Sequence, residues 1–152
     1  MADIEKTAEA LRKMGYGKKR MPAGVEDFKD LINGGYCFID KARFIKELLD
    51  NLGKVTIITR PRRFGKTLIL SMLRYFFMLD KAQDNRQLFA GLDIERAGAS
   101  YMEQQGSRPV VSLTLKGVQG ADFAALTESL RELLRNLYGS FRFLQEADTA
   151  SG

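Results

Sequence analysis

The sequence predicts an α/β fold with a mainly parallel sheet, and three observations lead there. Val55-Thr56-Ile57-Ile58-Thr59 is β-branched at every position, as in a strand buried on both faces. Val110 to Leu115 alternates Val111, Leu113 and Leu115 with Ser112 and Thr114, as in a strand with one better-buried face. Amphipathic helical stripes precede, separate and follow these two runs, and strands alternating with helices belong to a sheet covered by helices.

In chain order, Ile4, Ala8, Leu11 and Met14 sit at helical spacing within Asp3–Met14, which predicts a short appended helix before the basic run Lys18-Lys19-Arg20. Residues 1–20 therefore read as an N-terminal extension, and residues 21–152 as the domain proper. After the break at Pro22–Gly24, Val25, Phe28, Leu31 and Ile32 form a helical stripe that Asn33-Gly34-Gly35 ends. Tyr36–Ile39 is a short extended stretch, and Asp40 can cap a helix through Asp50 whose apolar face is Phe44, Ile45, Leu48 and Leu49. The strand at Val55 follows Gly53. Thr67–Leu79 is apolar on nearly every side, as expected of a helix packed between layers. Asp80–Arg108 shows no strong period beyond a short helical piece at Gln87–Ala90. Asp122 then caps a helix with one stripe of Phe123, Leu126, Leu130, Leu133, Leu134 and Leu137.

Composition narrows the class of protein. With 152 residues and 45% hydrophobic content the chain can build one compact core. The lone Cys37 cannot form an internal disulfide, and with no histidine the chain lacks the residues of a usual zinc site. No apolar run reaches the roughly 18 residues of a membrane span, and no signal-peptide core opens the chain. A soluble, cytoplasmic protein with no membrane partner is the expectation. The net charge of +5 is uneven, +7 over residues 1–75 and −2 over residues 76–152, which suits an anionic ligand near the front half and equally a solvated basic surface.

A local motif separates these alternatives. Between the predicted strand and the apolar helix lies Arg60-Pro61-Arg62-Arg63-Phe64-Gly65-Lys66-Thr67-Leu68, the strand–loop–helix setting of a phosphate-binding P-loop. Backbone N–H groups of such a loop and the first helical turn point at phosphates, and the helix dipole adds positive charge there. Gly65 admits close backbone approach, Lys66 reaches the β- and γ-phosphates, and the Thr67 hydroxyl is a hard ligand for Mg²⁺. The candidate phosphate-binding residues are thus Arg62, Arg63, Phe64, Gly65, Lys66, Thr67 and Leu68, with Thr67 on the metal. Arg60 departs from the general pattern, which has glycine there.

The sequence also resembles the bacterial AAA-ATPase-like proteins, related to the STAND class of P-loop ATPases, over about residues 21 to 138. Besides the loop, the resemblance rests on Met21–Phe28, Tyr36–Lys41, Ser71–Phe77, Leu88–Ile94 and the run Pro109–Leu115. That family often has Arg-Pro-Arg-Arg-Phe-Gly-Lys-Thr in its loop, so Arg60 looks like a family trait. The resemblance implies a P-loop NTPase three-layer fold, ATP and Mg²⁺ as ligands, and a segment ahead of the loop near the adenine. By position this nominates Tyr36, Phe38, Asp40 and Lys41, against core packing for the aromatics and helix capping for Asp40. Family members continue into a Walker B strand with acidic residues and commonly a distant nuclease-like PD-(D/E)XK domain. In this chain Val110–Leu115 runs into Lys116-Gly117 instead, so it reads as an N-terminal fragment, incomplete before Walker B and unable to hydrolyse ATP alone. Contact with nucleic acid would then come only through parts beyond this chain. The resemblance further implies that the two strands are not neighbours.

Two other readings stay open. A basic nucleic-acid-binding module would use Lys18–Arg20 and Arg62-Arg63 on phosphate backbones, but aromatic residues are not interleaved with basic ones as such modules require. An inert remnant of a truncated gene is the other.

Overall fold

A computed structural model of the chain describes residues 20–51, 53, 55–59, 61, 64–79 and 85–141. They fall into two compact units, which divide between Val110 and Val111. The predicted helix at Asp3–Met14, Lys18, Lys19, Arg60, Arg62 and Arg63 lie outside the described residues. No helix among the described residues is long and apolar enough to cross a membrane.

The first unit is helical. Helix α1 (Phe28–Asn33) starts because the Asp27 carboxylate accepts from the Lys29 and Asp30 N–H groups, at 2.9 and 3.2 Å. It ends in a Schellman arrangement in which Gly35 N–H donates to Ile32 and Tyr36 N–H to Leu31. Gly35 sits there at φ 62°, a left-handed conformation that glycine adopts without strain. Helix α2 (Arg43–Asn51) buries Ile45, with Phe44, Leu48 and Leu49 packed partly against the same core. Helix α3 (Lys66–Phe77) follows the loop and buries Ile69, Met72, Phe76 and Phe77. A 3₁₀ turn (Asn85–Phe89) and two short helices, α4 (Asp93–Arg96) and α5 (Ala99–Met102), complete the unit.

Its core is knit by aromatic rings. Phe89 packs on Phe28 at 5.1 Å and on Phe76 at 5.2 Å between centroids, and Phe28 meets Phe38 edge-on at 5.6 Å. The last carbonyls of α3 find partners outside the helix: Gly106 N–H donates to Phe76 and Arg108 N–H to Phe77, at 2.8 and 3.0 Å. On the surface, Tyr101 donates to Asp50 at 2.8 Å and lies under the Lys46 ammonium, which joins α5 to α2. Lys46, and after it Tyr101, holds the Asp50 carboxyl below its ordinary value.

The second unit is built on α6 (Phe123–Ser140), capped by Asp122, whose carboxylate accepts from Ala125 N–H at 2.8 Å. None of its side chains is buried. Phe123 is largely exposed, and Leu126, Leu130 and Leu134 are about 40% exposed.

The expected three-layer α/β fold with a mainly parallel sheet is not what the chain forms. Among the described residues there is no strand and no sheet, and pairing is limited to the isolated bridges Arg20–Tyr36 and Met78–Arg108. Neither Val55–Thr59 nor Val110–Leu115 is a strand. Val55 and Ile57 are 79% and 78% exposed where a doubly buried strand would hide them, and only Ile58 packs partly against the core. Val111, Leu113 and Leu115 are likewise exposed. β-Propensity describes fit to a pleated, half-buried surface, and a segment that finds no ladder partner gains nothing from it.

Candidate functional site

The loop and helix that the sequence singled out do form a corner. Gly65 stands at the N-cap of α3 with φ 74° and ψ 27°, a left-handed conformation that lets the chain turn sharply from Phe64 into Lys66. Gly65 O accepts from Ile69 N–H at 2.9 Å, which closes the first helical turn. No side chain caps this end. The N–H groups of the first turn are those that helix geometry directs outward, and the dipole gives this end partial positive charge.

Beside this corner lies a cleft of about 840 Å³. Its walls are three segments distant in sequence: residues 22–26, residues 37–39 with Lys41, and residues 64–68, together with Leu31 of α1. Phe64 is 59% exposed at this wall, Thr67 is exposed, and Lys66 and Leu68 are half-buried. The Lys41 ammonium donates to Phe64 O at 3.4 Å and lies 3.1 Å from where a Cβ on Gly65 would stand.

A hydrogen-bond network holds the walls. The Asp27 carboxylate, besides capping α1, accepts from Ser71 Oγ at 2.9 Å and Tyr75 Oη at 3.2 Å, both on α3. Ser71 Oγ in turn accepts from Phe28 N–H at 3.0 Å. Residues 22–26 are thereby tied to the helix that carries Gly65-Lys66-Thr67. Burial, and then the Asp27 carboxylate, push the Tyr75 hydroxyl above its ordinary value, so the phenol stays a donor.

Of the predicted site residues, the structure gathers Phe64, Gly65, Lys66, Thr67 and Leu68 with Phe38 and Lys41 around the cleft. Tyr36 and Asp40 are not among its lining residues. The Tyr36 ring lies against Gly34, where a Cβ would collide with it. Asp40 uses both carboxylate oxygens on backbone: Oδ1 accepts from Ala42 N–H at 2.8 Å, and Oδ2 from Asp93 N–H, the first residue of α4, at 2.7 Å. Arg62 and Arg63 lie outside the described residues. Sequence reasoning assigned no site role to residues 22–26, nor to the Asp27–Ser71–Tyr75 fastener. The available signal was that Met21–Phe28 and Ser71–Phe77 were both blocks of the family resemblance.

The geometry thus shows a cleft beside a helix N-terminus, fronted by Gly65, Lys66 and Thr67. Comparison with known sequences is more specific: the model of the family described as "Predicted AAA-ATPase" matches residues 22–151, and the chain belongs to that AAA-ATPase-like family. An uncharacterized protein in the vnfD 5′ region of Azotobacter chroococcum mcd 1 is 30% identical over 118 residues, 77% of this chain and 21% of that protein. The chain thus spans about a fifth of that relative's length. No solved structure matches it.

Proposed function

We propose that this chain binds a nucleoside triphosphate, ATP with Mg²⁺, through the loop Arg62–Leu68. The observation that carries the reading is the cleft in which Gly65, Lys66 and Thr67, at the start of a 12-residue helix, face residues 22–26 and Lys41. Its volume of about 840 Å³ lies within the roughly 300–1,000 Å³ usual for small-molecule sites. The strand half of the strand–loop–helix setting is absent among the described residues, so the reading rests on the loop–helix corner and the family alone. Lys66 supplies a point charge for the β- and γ-phosphates, and Thr67 an oxygen for the metal. Among the described residues no three Asp, Glu or Cys side chains gather into a metal site. In this reading Mg²⁺ would be held by the Thr67 hydroxyl and phosphate oxygens, as is common for this ion.

Binding without turnover is part of the same proposal, because no apolar run after Thr67 ends in an Asp-Glu pair that could anchor Mg²⁺ and orient water. So is the finer kinship with the STAND class, and with longer proteins that carry a PD-(D/E)XK nuclease-like domain. The test is thermal unfolding of the 152-residue chain with and without Mg-ATP. At a hundred times the dissociation constant, ATP adds about 2.7 kcal/mol of stability, and Lys66→Ala removes that gain. Equal shifts in parent and variant would refute the assignment, and phosphate release abolished by Lys66→Ala would refute the lack of turnover.

A further inference from the structure

We infer that Lys41 is a second cation for the polyphosphate, and not a neighbour of the base as the segment's position ahead of the loop implies. The inference rests on the nucleotide-binding reading above and deepens it. Lys41 Nζ stands over the left-handed Gly65 itself, 3.1 Å from the position a Cβ would take, and beside the carbonyl of Phe64. It is therefore at the phosphate end of the loop–helix corner.

Its backbone is fixed there from both sides. Asp40 clamps Ala42 N–H and Asp93 N–H, and Lys41 O accepts from Phe44 N–H at 3.0 Å. Among the described residues the side chain, by contrast, makes one long hydrogen bond, 3.4 Å to the neutral carbonyl of Phe64. An ammonium carries three donors, and a phosphate oxygen is a shorter and stronger partner than a carbonyl. A cation beside the positive end of a helix dipole is also unfavourable until an anion offsets it. Lys66 adds a second ammonium to the same wall, while Glu26 is the one carboxylate among the described lining residues. The lack of a side chain on Gly65 lets the ammonium come close to the start of α3, so a phosphate bound at that end would be within reach of both.

The chemistry recognised is a polyphosphate chain, whichever base it carries. The experiment titrates ATP, GTP and inorganic tripolyphosphate, each with Mg²⁺, onto the parent chain and onto Lys41→Met, Lys41→Arg and Lys66→Ala. Lys41→Met is expected to weaken all three ligands by about tenfold, the worth of one charge-assisted hydrogen bond. The ATP-to-GTP ratio stays unchanged, Lys41→Arg recovers most of the affinity, and the ligand-free unfolding midpoint barely moves. Weaker ATP binding with unchanged tripolyphosphate binding, or an altered ATP-to-GTP ratio, would put Lys41 at the base and overturn the inference. So would unchanged binding of all three, or a parent that takes ATP but not tripolyphosphate. Loss in Lys66→Ala with none in Lys41→Met defeats this inference alone. Binding that is indifferent to Lys66→Ala, or absent in the parent, defeats the underlying reading and this inference with it.

Discussion

Asp27 joins the N-terminal wall of the cleft to the helix behind it, and its removal has a magnitude that can be worked from the bonds it accepts. Replacing Asp27 by Ala withdraws the cap from α1, a loss of about 1 kcal/mol. It also takes the acceptor from Ser71 Oγ and Tyr75 Oη, which are half-buried at 2.9 and 3.2 Å. Hydrogen bonds to a charged group contribute about 1.5–3 kcal/mol each, but both hydroxyls keep some access to water, so about 1–2 kcal/mol for the two together is the better figure. The expected loss is about 2–3 kcal/mol, a large part of the stability of a small domain. Asp27→Asn keeps one acceptor oxygen for the cap and should lose about half as much. Equilibrium urea unfolding reads this as a lower midpoint at unchanged slope. In a double-mutant cycle with Tyr75→Phe, the two losses should couple by about 0.5–1.5 kcal/mol, because the residues share one bond. An Asp27→Ala chain within about 0.5 kcal/mol of the parent, or a strictly additive cycle, would show that the fastener does not hold the two segments together.

Two further substitutions probe the corner and the fold. Gly65→Ala places a Cβ residue at φ 74° and should lower stability by about 1–2 kcal/mol, with Gly65→Asn milder because asparagine tolerates this conformation; urea midpoints of the pair decide, and a neutral Gly65→Ala counts against a left-handed Gly65. Ile57→Ser should change unfolding by no more than about 0.5 kcal/mol because the side chain is 78% exposed, whereas Phe89→Ala, fully buried between Phe28 and Phe76, should lose about 3–5 kcal/mol. A loss at Ile57 as large as that at Phe89 would mean that Ile57 is buried in a sheet after all.

What the sequence disclosed follows the range of the forces involved. Helix α6 was legible because its signals are local: the Asp122 cap and a leucine stripe repeating every three or four residues. The same holds for α3, read from its apolar run, and for the Gly34-Gly35 stop of α1, whereas the left-handed turn at Gly65 was not read from the sequence. The region from Asp80 to Arg108 showed no period because its pieces, Asp93–Arg96 and Ala99–Met102, are single turns too short to carry one. Phe89 and Ile94 reach the core from there all the same. The sheet was misread because β-branching at Val55–Thr59 states a preference that only a distant partner can satisfy, and no described segment supplies one. The Asp27 fastener was invisible for a related reason: its partners lie 44 and 48 residues away, and nothing local marks an aspartate that serves both a cap and a distant hydroxyl pair.

Capping also bears on which carboxylates line the cleft, which composition left undetermined. A front half at +7 suits an anionic ligand or a solvated surface equally, since the sum does not say which carboxylates face which ammonium groups. The two aspartates nearest the cleft segments are turned to other tasks. Asp27 holds the start of α1 and the hydroxyls of α3, and Asp40 holds Ala42 and Asp93 with one oxygen each. Both carboxylates are thus engaged by backbone and hydroxyl donors, and neither lines the cleft. Among the described lining residues the charged side chains are Lys41, Lys66 and Glu26. Replacing either aspartate by Ala is therefore expected to loosen the walls of the cleft while leaving the charged groups that line it in place.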